Sequence, residues 1–590
     1  MNIFKNISTI VVEYSKSTLT VIFCITLCSL YIAFLSDKKL YVDFSLEQMF
    51  SENDPERDLY INFQREFSRE DDKILIAYRY DNLLNINSLD RLSDLSYELS
   101  EIEGVENVLS LASNPIIDDD DLEDLIINEK YSSNPMLNEY FDFAKKDVAV
   151  ILIDLDDDVM DQVSRSRIIS DLEYFLDSSN VDAHLAGLPV LRTRYVDLVN
   201  QERSIFLPLA VIIVILVLYA IFRQLSCVIL PLVAIGISIS WVAGIMALAG
   251  VSINIMSYLT FNLLLIVGVS NAIHILTRYH EYLYQGYNKI ESLKNVINKI
   301  GSALFLTSFT TAAGFFSLIV TNVMIIKEFG IILAFGIILT FILSIIIIPI
   351  FLSFKSLPPK REIKRLIEGG KFKIAEKLNN WSKMFPNTIM ILTSAVVILA
   401  VFGVTKMNYN GTILDDLRPG NRIYDDIQFF ESNLGGTLPI EIIIDAKEEN
   451  AVLKPDFLKK VEIFISTISD SISDLHSPVS IVAILKSFNY NNGKYQLNEK
   501  YEDNLSDVIL IGQQNEGIIK QFLGEDASKI RISCRLENIT FSRSIDIKDE
   551  ISTIYSNIFN DDPSKSLLLT GGTFLALKTN KHMLNNLSSS

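Results

Sequence analysis

The chain has 590 residues, of which 49% are hydrophobic and 21% charged, and its mean hydropathy is +0.30. This composition excludes a disordered or fibrous protein and argues against an ordinary soluble enzyme. The net charge of −20 argues against a nucleic-acid partner, because phosphate neutralisation needs a basic face. The four cysteines are too few and too scattered for a disulfide framework or a CxxC metal site: Cys24, Cys28, Cys227 and Cys534.

The apolar residues lie in blocks that are free of Asp, Glu, Lys and Arg. The first block, 17–36, is long enough to cross a bilayer and is followed by Asp37 with no cleavage site, so we expect a retained membrane anchor. Further blocks predict six more helices, of which two lie between Gln224 and Thr277 and are separated by the polar stretch 250–254; the others are at 204–222, 300–326, 329–354 and 384–405. The sequence thus predicts a polytopic α-helical membrane protein with seven transmembrane helices, five of them forming a unit at 204–354.

The distribution of Lys and Arg predicts the orientation of these helices. The linker 355–383 is strongly basic, the link 278–299 also carries basic residues, and both fall on the side of the N-terminal segment 1–16. The two long hydrophilic segments, 37–203 and 406–590, fall on the other side. We therefore expect a multi-pass protein of the cell (inner or plasma) membrane, with a cytoplasmic N-terminus and both large segments periplasmic or extracellular.

The two hydrophilic segments repeat one pattern. Each begins with an amphipathic helix, at 58–67 and within 417–434, and continues with two strand–helix–strand sets whose second helices lie at about 161–178 and 545–559. The predicted strands are 73–80, 105–111, 148–155 and 181–187 in the first segment, and 439–445, 479–485, 529–536 and 567–572 in the second. We expect two α+β ferredoxin-like extracytoplasmic domains that arose by internal duplication.

The duplication predicts an eighth membrane helix after the second domain. In the first half the domain leads directly into the helix at 204, whereas in the second half the sequence stops at Ser590, before that helix would begin. The pattern predicts a chain without its last five transmembrane helices. The alternatives are a fragment or truncated product, or a second polypeptide that supplies the missing helices.

Two neighbouring motifs in the helical unit are highly specific in combination. Residues 263–283 contain G-V-x-x-A-I-H-x-L-x-R-Y-x-E, and L-T-S-x-T-T-A-A-G-F follows within 300–352. With the plan of one helix, a large hydrophilic domain, five helices and a repeat, the whole chain resembles the RND superfamily, in its MMPL-type or predicted-exporter branch. The five-helix unit of that branch is also called a sterol-sensing domain and is shared with Patched-like proteins.

This resemblance implies a secondary active exporter of hydrophobic or lipid-like substrates, driven by protons that move through the fourth helix. Family members usually carry an Asp there, and its place falls on Ser270 or Asn271 in this sequence. No Asp or Glu occurs between Arg223 and Arg278. The departure removes the carboxylate that would couple transport to protons. It leaves open an alternative function, that of a non-transporting, sterol-sensing-like membrane protein that senses lipid or assists a partner.

Neutral polar and titratable side chains remain in the fourth and fifth helices. Ser270, Asn271 and His274 can share a helix face, and they could carry protons if hydrated, because imidazole titrates near neutral pH. Alternatively they are hydrogen-bonded packing groups. The same alternatives apply to the hydroxyl cluster of the fifth helix, which could face Asn271 or bond to its own backbone: Thr307, Ser308, Thr310 and Thr311. The small residues 312–314 predict close packing of the fifth helix on the fourth.

The remaining features predict no catalytic chemistry. The acid run 118–124 lacks the ligand spacing and glycine of a calcium loop and indicates a solvated loop. Basic residues at helical spacing in 360–377, with Trp381 nearby, suggest an interfacial helix on anionic lipid. We expect no enzyme activity, no metal and no cofactor. The expected partners are membrane lipids, a hydrophobic small-molecule or lipid substrate, and a second copy of the chain or a polypeptide that supplies the missing helices.

Overall fold

The structure, a computed structural model, describes residues 2–36, 39–42, 55–67, 72–79, 85–112, 134, 148–156, 162–179, 182–321, 323–368, 373–406, 411–412, 417–487, 490–491, 494–495, 521–524, 526–559, 565–574 and 577. The acid run 118–124 lies outside them. The described helices are α1 (Asn2–Glu13), α2 (Ser15–Phe34), α3 (Pro55–Glu66), α4 (Ile86–Ser100), α5 (Gln162–Ser178), α6 (Leu188–Phe222), α7 (Ser226–Ala249), α8 (Ile255–Tyr284), α9 (Lys289–Asn295), α10 (Gly301–Phe316), α11 (Met324–Phe354), α12 (Lys360–Glu368), α13 (Lys373–Met384), α14 (Pro386–Thr405), α15 (Arg422–Leu434), α16 (Pro455–Ser471), α17 (Ile481–Ser487) and α18 (Phe541–Phe559). The described strands are β1 (Lys73–Arg79), β2 (Val105–Leu109), β3 (Val148–Leu155), β4 (Asp182–Ala186), β5 (Leu438–Asp445), β6 (Leu475–Ser480), β7 (Tyr490–Asn491), β8 (Lys494–Tyr495), β9 (Lys529–Leu536) and β10 (Ser566–Thr570).

The chain divides into two compact units. The membrane unit comprises residues 1–44, 198–408 and 586–590, and the α/β unit comprises 45–197 and 409–585. In the α/β unit, residues 45–197 are called the first half and 409–585 the second half.

Seven helical stretches of the described residues are long and apolar enough to cross a membrane: α2, α6, α7, α8, the stretch from α9 to a 3-10 turn at Ser317–Val320, α11 and α14. The protein is therefore a polytopic membrane protein. The sequence misplaced one boundary, because the fifth and sixth helices separate before Met324 rather than at Lys327. The reason is local: Val323 has an extended backbone conformation and ends the preceding turn, so the two charged residues Lys327 and Glu328 lie in the first turns of α11.

The core of the membrane unit is built around α11, which packs on α7, α8 and α10 and is the most buried of the seven spans. Glycines allow these helices to approach closely. A Cβ atom at Gly336 of α11 would lie 3.0 Å from Leu264 Cδ2, and one at Gly268 of α8 would lie 3.0 Å from Thr340 Cγ2. The helices α8 and α11 therefore run in parallel, with Leu264 beside Gly336 and Gly268 beside Thr340.

Gly268 provides a test of this packing. A Cβ atom there would also lie 2.5 Å from Ile235 Cγ1 of α7, so Gly268→Val is expected to force the three helices apart. Overpacking of this kind costs about 1–3 kcal/mol, which should lower the midpoint of thermal unfolding in detergent. The matched control is Gly236→Val, because no atom lies within 4 Å of a Cβ atom built at Gly236. Equal midpoints for the two variants would contradict the close contact.

Each half of the α/β unit contains a four-stranded antiparallel sheet. The strand order is β2–β3–β1–β4 in the first half and β6–β9–β5–β10 in the second, so both follow the order second, third, first, fourth. The strand predicted at 479–485 is wrong: β6 ends at Ser480, and Ile481–Ser487 forms the buried helix α17. A short apolar run has no periodicity that separates a buried strand from a buried helix.

One face of each sheet carries two helices of the same half. Side chains of α4 and α5 pack with Ile74, Ile76 and Tyr78 of β1, and those of α16 and α18 pack with alternate residues of β5, including Ile440 and Ile442. Successive residues of a strand point to opposite faces, so Ala77 and Ile443 belong to the other faces of the two sheets.

The other face of each sheet is covered by a helix from the opposite half. Phe430 of α15, in the second half, packs with Ala77, Val148 and Ala186 of the first sheet. Conversely, Tyr60 and Phe63 of α3, in the first half, and Phe67 directly after α3 pack on Ile443 of the second sheet. Two ion pairs fix α3 there, Lys529–Glu66 at 2.5 Å and Lys548–Glu56 at 2.8 Å. The two halves thus exchange their first helices, α3 and α15, which we call the exchanged helices.

Candidate functional site

The candidate residues of α8 do not share one environment. Asn271 is buried, whereas Ser270 and His274 are exposed on the membrane unit. Ser270 and His274 are one turn apart and lie on one stripe, while Asn271 is rotated from it by about 100°. The Asn271 Nδ2 atom has no hydrogen-bond partner among the described residues.

The hydroxyl cluster of α10 divides in the same way. Thr307 donates to the carbonyl of Ala303 at 3.1 Å, and Thr310 and Thr311 both donate to the carbonyl of Thr307 at 2.9 Å. These three hydroxyls are therefore bonded to their own helix. Ser308 is buried, and within the described part of the chain its hydroxyl has no partner.

The expected packing of residues 312–314 on the fourth helix is wrong for two of the three. Ala313 and Gly314 are exposed, whereas Ala312 is buried in a cluster with Leu333, Ala334 and Ile337 of α11 that also contains Leu264 of α8. The reason is that α11 occupies the centre of the unit, so it is the principal neighbour of both α8 and α10.

Sequence reasoning missed two further residues at the contact between α8 and α11. Thr340 and Ser344 lie one turn apart on α11, both are buried, and neither hydroxyl has a partner among the residues described. Thr340 lies beside Gly268, and the parallel register places Ser344 at the level of the turn that carries Asn271. The sequence did contain a signal for this site, namely two hydroxyl residues four positions apart in an otherwise apolar helix. We call these two residues, together with Asn271 of α8 and Ser308 of α10, the buried polar row: all four are buried, and none is a carboxylate.

A second set of polar residues joins the halves of the α/β unit, and we call it the acidic clasp: Asp426, His184 and Arg194. Asp426 lies on the exchanged helix α15 and is 4% exposed. Its Oδ2 atom accepts a hydrogen bond from Arg194 Nη1 at 2.5 Å, and its Oδ1 atom lies 2.7 Å from His184 Nδ1. Because His184 is in β4 and Arg194 is in α6, one carboxylate of the second half binds two elements of the first.

Neighbouring groups orient the acidic clasp. Arg194 also donates to Glu173 Oε1 through Nη2 at 2.7 Å and Nε at 3.0 Å. The His184 ring stacks on Phe429, with 3.9 Å between the ring centroids. Burial raises the pKa of Asp426, but the hydrogen bond from His184 and the Arg194 charge outweigh it, so the pKa lies below its ordinary value. Asp426 is therefore a carboxylate at neutral pH.

A small cavity of about 20 Å³ lies beside the clasp, room for about one water molecule. Its lining is mostly apolar and comes from both halves: residues 185–188, 190–191 and Arg194 in the first, and Ile423, Ile427 and residues 437–439 in the second. The signal for the clasp in the sequence was Asp426 itself, an acid on the apolar stripe of a helix between Ile423 and Phe430.

A known family matches the part of the chain that contains most of the membrane unit. A family model described as "MMPL family" matches residues 126–386, which include α6 to α13 and the buried polar row. This segment is therefore similar to the MMPL family. The matched segment also includes β4 and the start of α6, and thus two of the three residues of the acidic clasp.

Curated relatives show the same likeness. The sulfolipid-1 exporter MmpL8 of Mycobacterium tuberculosis is 25% identical over 218 residues, which are 36% of this chain and 20% of that protein. The apo-petrobactin exporter of Bacillus anthracis is 24% identical over 50% of this chain and 43% of that protein. The membrane protein YdfJ of Bacillus subtilis is 23% identical over 52% of this chain and 42% of that protein. The chain therefore spans less than half the length of each of these relatives.

Proposed function

We propose that this MMPL-type protein acts as a secondary active exporter of hydrophobic or lipid-like substrates. The observation that carries the proposal is the family match through the membrane helices α6 to α11. Two of the matching relatives are named as exporters, one of sulfolipid-1 and one of apo-petrobactin. In this proposal the membrane helices provide the coupling path, and the two halves of the α/β unit provide the passage for substrate.

The proposed architecture is a duplicated one, with two α+β domains of ferredoxin-like topology outside the membrane and the N-terminus in the cytoplasm. The identical strand orders of the two sheets support the duplication. So do two glycines of positive φ, Gly187 and Gly571, each of which directly follows the fourth strand of its half. The concentration of Lys and Arg in residues 278–299 and 355–383 supports the orientation.

We assign coupling in this half of the protein to hydrated polar groups rather than to a carboxylate. Buried polar groups that lack protein partners require water or an ion as their partner. In a membrane protein, polar residues that face the interior of the helix bundle often line an ion or proton pathway. The buried polar row is thus the core of the proposed path, and exposed Ser270 and His274 lie outside it. They would face a second copy or another polypeptide.

We assign the passage for substrate to the contact between the halves of the α/β unit. A cavity of about 20 Å³ cannot hold a lipid, so the halves must separate for a substrate to pass. The acidic clasp is the set of charged bonds that this movement would break and re-form.

Export of a lipophilic dye tests the proposal and distinguishes the buried polar row from the exposed stripe of Ser270 and His274. Cells that express the full-length protein are loaded with N-phenyl-1-naphthylamine, and proton-gradient-dependent efflux is measured. His274→Gln is expected to keep efflux near the wild-type rate, because glutamine retains hydrogen-bonding capacity without titrating. Asn271→Leu is expected to reduce efflux at least ten-fold. Loss of one interhelical hydrogen bond costs only about 0.6 kcal/mol on average, so both variants should fold.

Three outcomes decide between the alternatives. Loss of efflux in His274→Gln, with Asn271→Leu active, would place the path on the exposed stripe instead. Efflux at the wild-type rate in both variants would show that neither side chain takes part in the coupling mechanism. No efflux from the folded wild-type protein, together with saturable lipid binding, would favour a lipid-sensing or partner-assisting role over export.

A further inference from the structure

The linker between α11 and α14 begins with a short helix, α12, that is docked on the membrane unit. Ile363 is 7% exposed, and Leu366 packs on the main core cluster of the unit. The Glu362 carboxylate accepts a hydrogen bond from the Gln224 side chain, which lies in the turn between α6 and α7. Helix α12 also packs on α8. It is thus held at the end of the bundle where α6 and α11 end and α7 begins.

The side of α12 that faces away from the core is basic. Its exposed residues recur at positions that form one helix face: Lys360, Arg361, Lys364 and Arg365. The linker 355–383 as a whole carries nine basic residues against three acidic ones. Because Ile363 and Leu366 fix the opposite side to the bundle, the basic face has a defined position, and it begins six residues after Phe354, where the apolar helix α11 ends.

The next helix, α13, presents exposed apolar and aromatic side chains beside basic ones. Leu378 and Trp381 are 59% and 58% exposed, and Lys377 and Lys383 flank them. The apolar spanning helix α14 begins at Pro386, directly after α13. Tryptophan and basic residues next to a spanning helix are typical of the membrane–water interface.

We propose that α12 and α13 form a binding surface for the headgroups of anionic phospholipids. The basic face of α12 supplies the charge, and the exposed apolar residues of α13 enter the boundary between headgroups and acyl chains. A purely solvated basic helix would need neither the docking of α12 nor the exposed Trp381. The surface is distinct from the buried polar row and the acidic clasp, and it does not depend on export.

Lipid retention tests this surface. The full-length protein in neutral detergent is mixed with equal amounts of dioleoylphosphatidylglycerol and dioleoylphosphatidylcholine, and bound lipids are counted by native mass spectrometry. The wild-type protein is expected to prefer phosphatidylglycerol by ten-fold or more, since each basic residue near an anionic surface contributes about five-fold. The variant with Lys360→Gln, Arg361→Gln, Lys364→Gln and Arg365→Gln is expected to lose at least ten-fold of that preference. Its unfolding midpoint should be unchanged, because the side chains are exposed.

The control carries the same charge change on exposed residues of the α/β unit: Arg167→Gln, Lys447→Gln, Lys454→Gln and Lys459→Gln. It is expected to keep the wild-type preference. An equal loss in both variants, or no preference in the wild-type protein, would overturn the proposal. Displacement of all phosphatidylglycerol by millimolar inorganic phosphate would also overturn it, because the surface would then be a simple anion site.

Trp381 offers an independent measurement in nanodiscs. The chain has two tryptophans, so Trp241→Phe leaves Trp381 as the single fluorophore. Brominated phosphatidylglycerol is expected to quench its emission by at least half. Unquenched emission would show that α13 does not reach the acyl boundary and would contradict the assignment.

Discussion

Arg531→Met is expected to destabilise the second half of the α/β unit by about 3–5 kcal/mol, because it leaves the buried Glu441 without its charge partner. In the wild-type protein Arg531 binds Glu441 in a bidentate manner, with Nε 2.6 Å from Oε2 and Nη2 2.7 Å from Oε1. Both side chains are almost completely buried. The pair lies on the sheet face under the exchanged helix α3, where the guanidinium is 4.9 Å from the Phe63 ring centroid.

Cys534, on the same strand as Arg531, reports this loss directly. Its thiol is buried, and burial raises its pKa well above the ordinary value, so the native protein should react very slowly with iodoacetamide. Reaction then requires opening of the second half. A loss of 3–5 kcal/mol should accelerate labelling of Cys534 by about two to four orders of magnitude, as measured by peptide mass spectrometry.

Two further variants show whether the buried pair is responsible. Arg543→Met removes an arginine whose partners, Asp474 and Glu550, are partly exposed, and should cost less than about 1 kcal/mol. Combining Glu441→Leu with Arg531→Met removes both charges and should recover most of the stability. Labelling of Cys534 that is no faster in Arg531→Met than in Arg543→Met would show that the pair does not stabilise the fold.

Asp426→Asn is expected to weaken the contact between the two halves by about 2–3 kcal/mol. The substitution keeps the shape of the side chain but removes the charge that holds Arg194 and His184, and hydrogen bonds to charged groups contribute about 1.5–3 kcal/mol each. Hydrogen exchange should therefore accelerate at the backbone amides of α15, while those of α16 keep their wild-type rates. The matched control is Asp425→Asn, one residue away and exposed. Equal exchange rates in the two variants would show that the acidic clasp does not stabilise the contact between the halves.

The low pKa of Asp426 also fixes the direction of a pH effect. The stabilisation is fully present above the ordinary pKa of 3.8 and is lost as the pH falls through the lower pKa of the folded state. After correction for intrinsic exchange rates, wild-type α15 should thus lose protection only below about pH 4. Asp426→Asn should lack this acid step.

Hydropathy and strand patterns predicted most of the local structure. The seven spans follow from uninterrupted apolar length, and β3 and β9 have the predicted bounds because a charged or polar residue flanks each apolar run. Non-local packing was not predictable. Residues 58–67 and 422–434 are amphipathic, but an apolar stripe does not specify which of two similar sheets it covers.

The candidate site was predicted by residue type but not by position. Helical spacing placed Ser270, Asn271 and His274 within one helix face, whereas the structure separates Asn271 from the other two. The difference arises from the central position of α11, which covers only part of α8. Thr340 and Ser344 were overlooked because hydroxyls in an apolar helix usually bond to their own backbone.

The exchanged helices constrain the order in which the protein can assemble. A ribosome produces α3 several hundred residues before the sheet that it covers, and the segments from α6 to α14 must enter the membrane in between. Until α15 has been synthesised, the face of the first sheet that contains Ala77 and Val148 remains uncovered. Contacts between residues so far apart in sequence also form slowly. The nascent chain thus passes through a stage in which this apolar surface is exposed. A chaperone or protease would bind the chain at that stage, and a substitution on α15 that weakens its packing on the first sheet would prolong it.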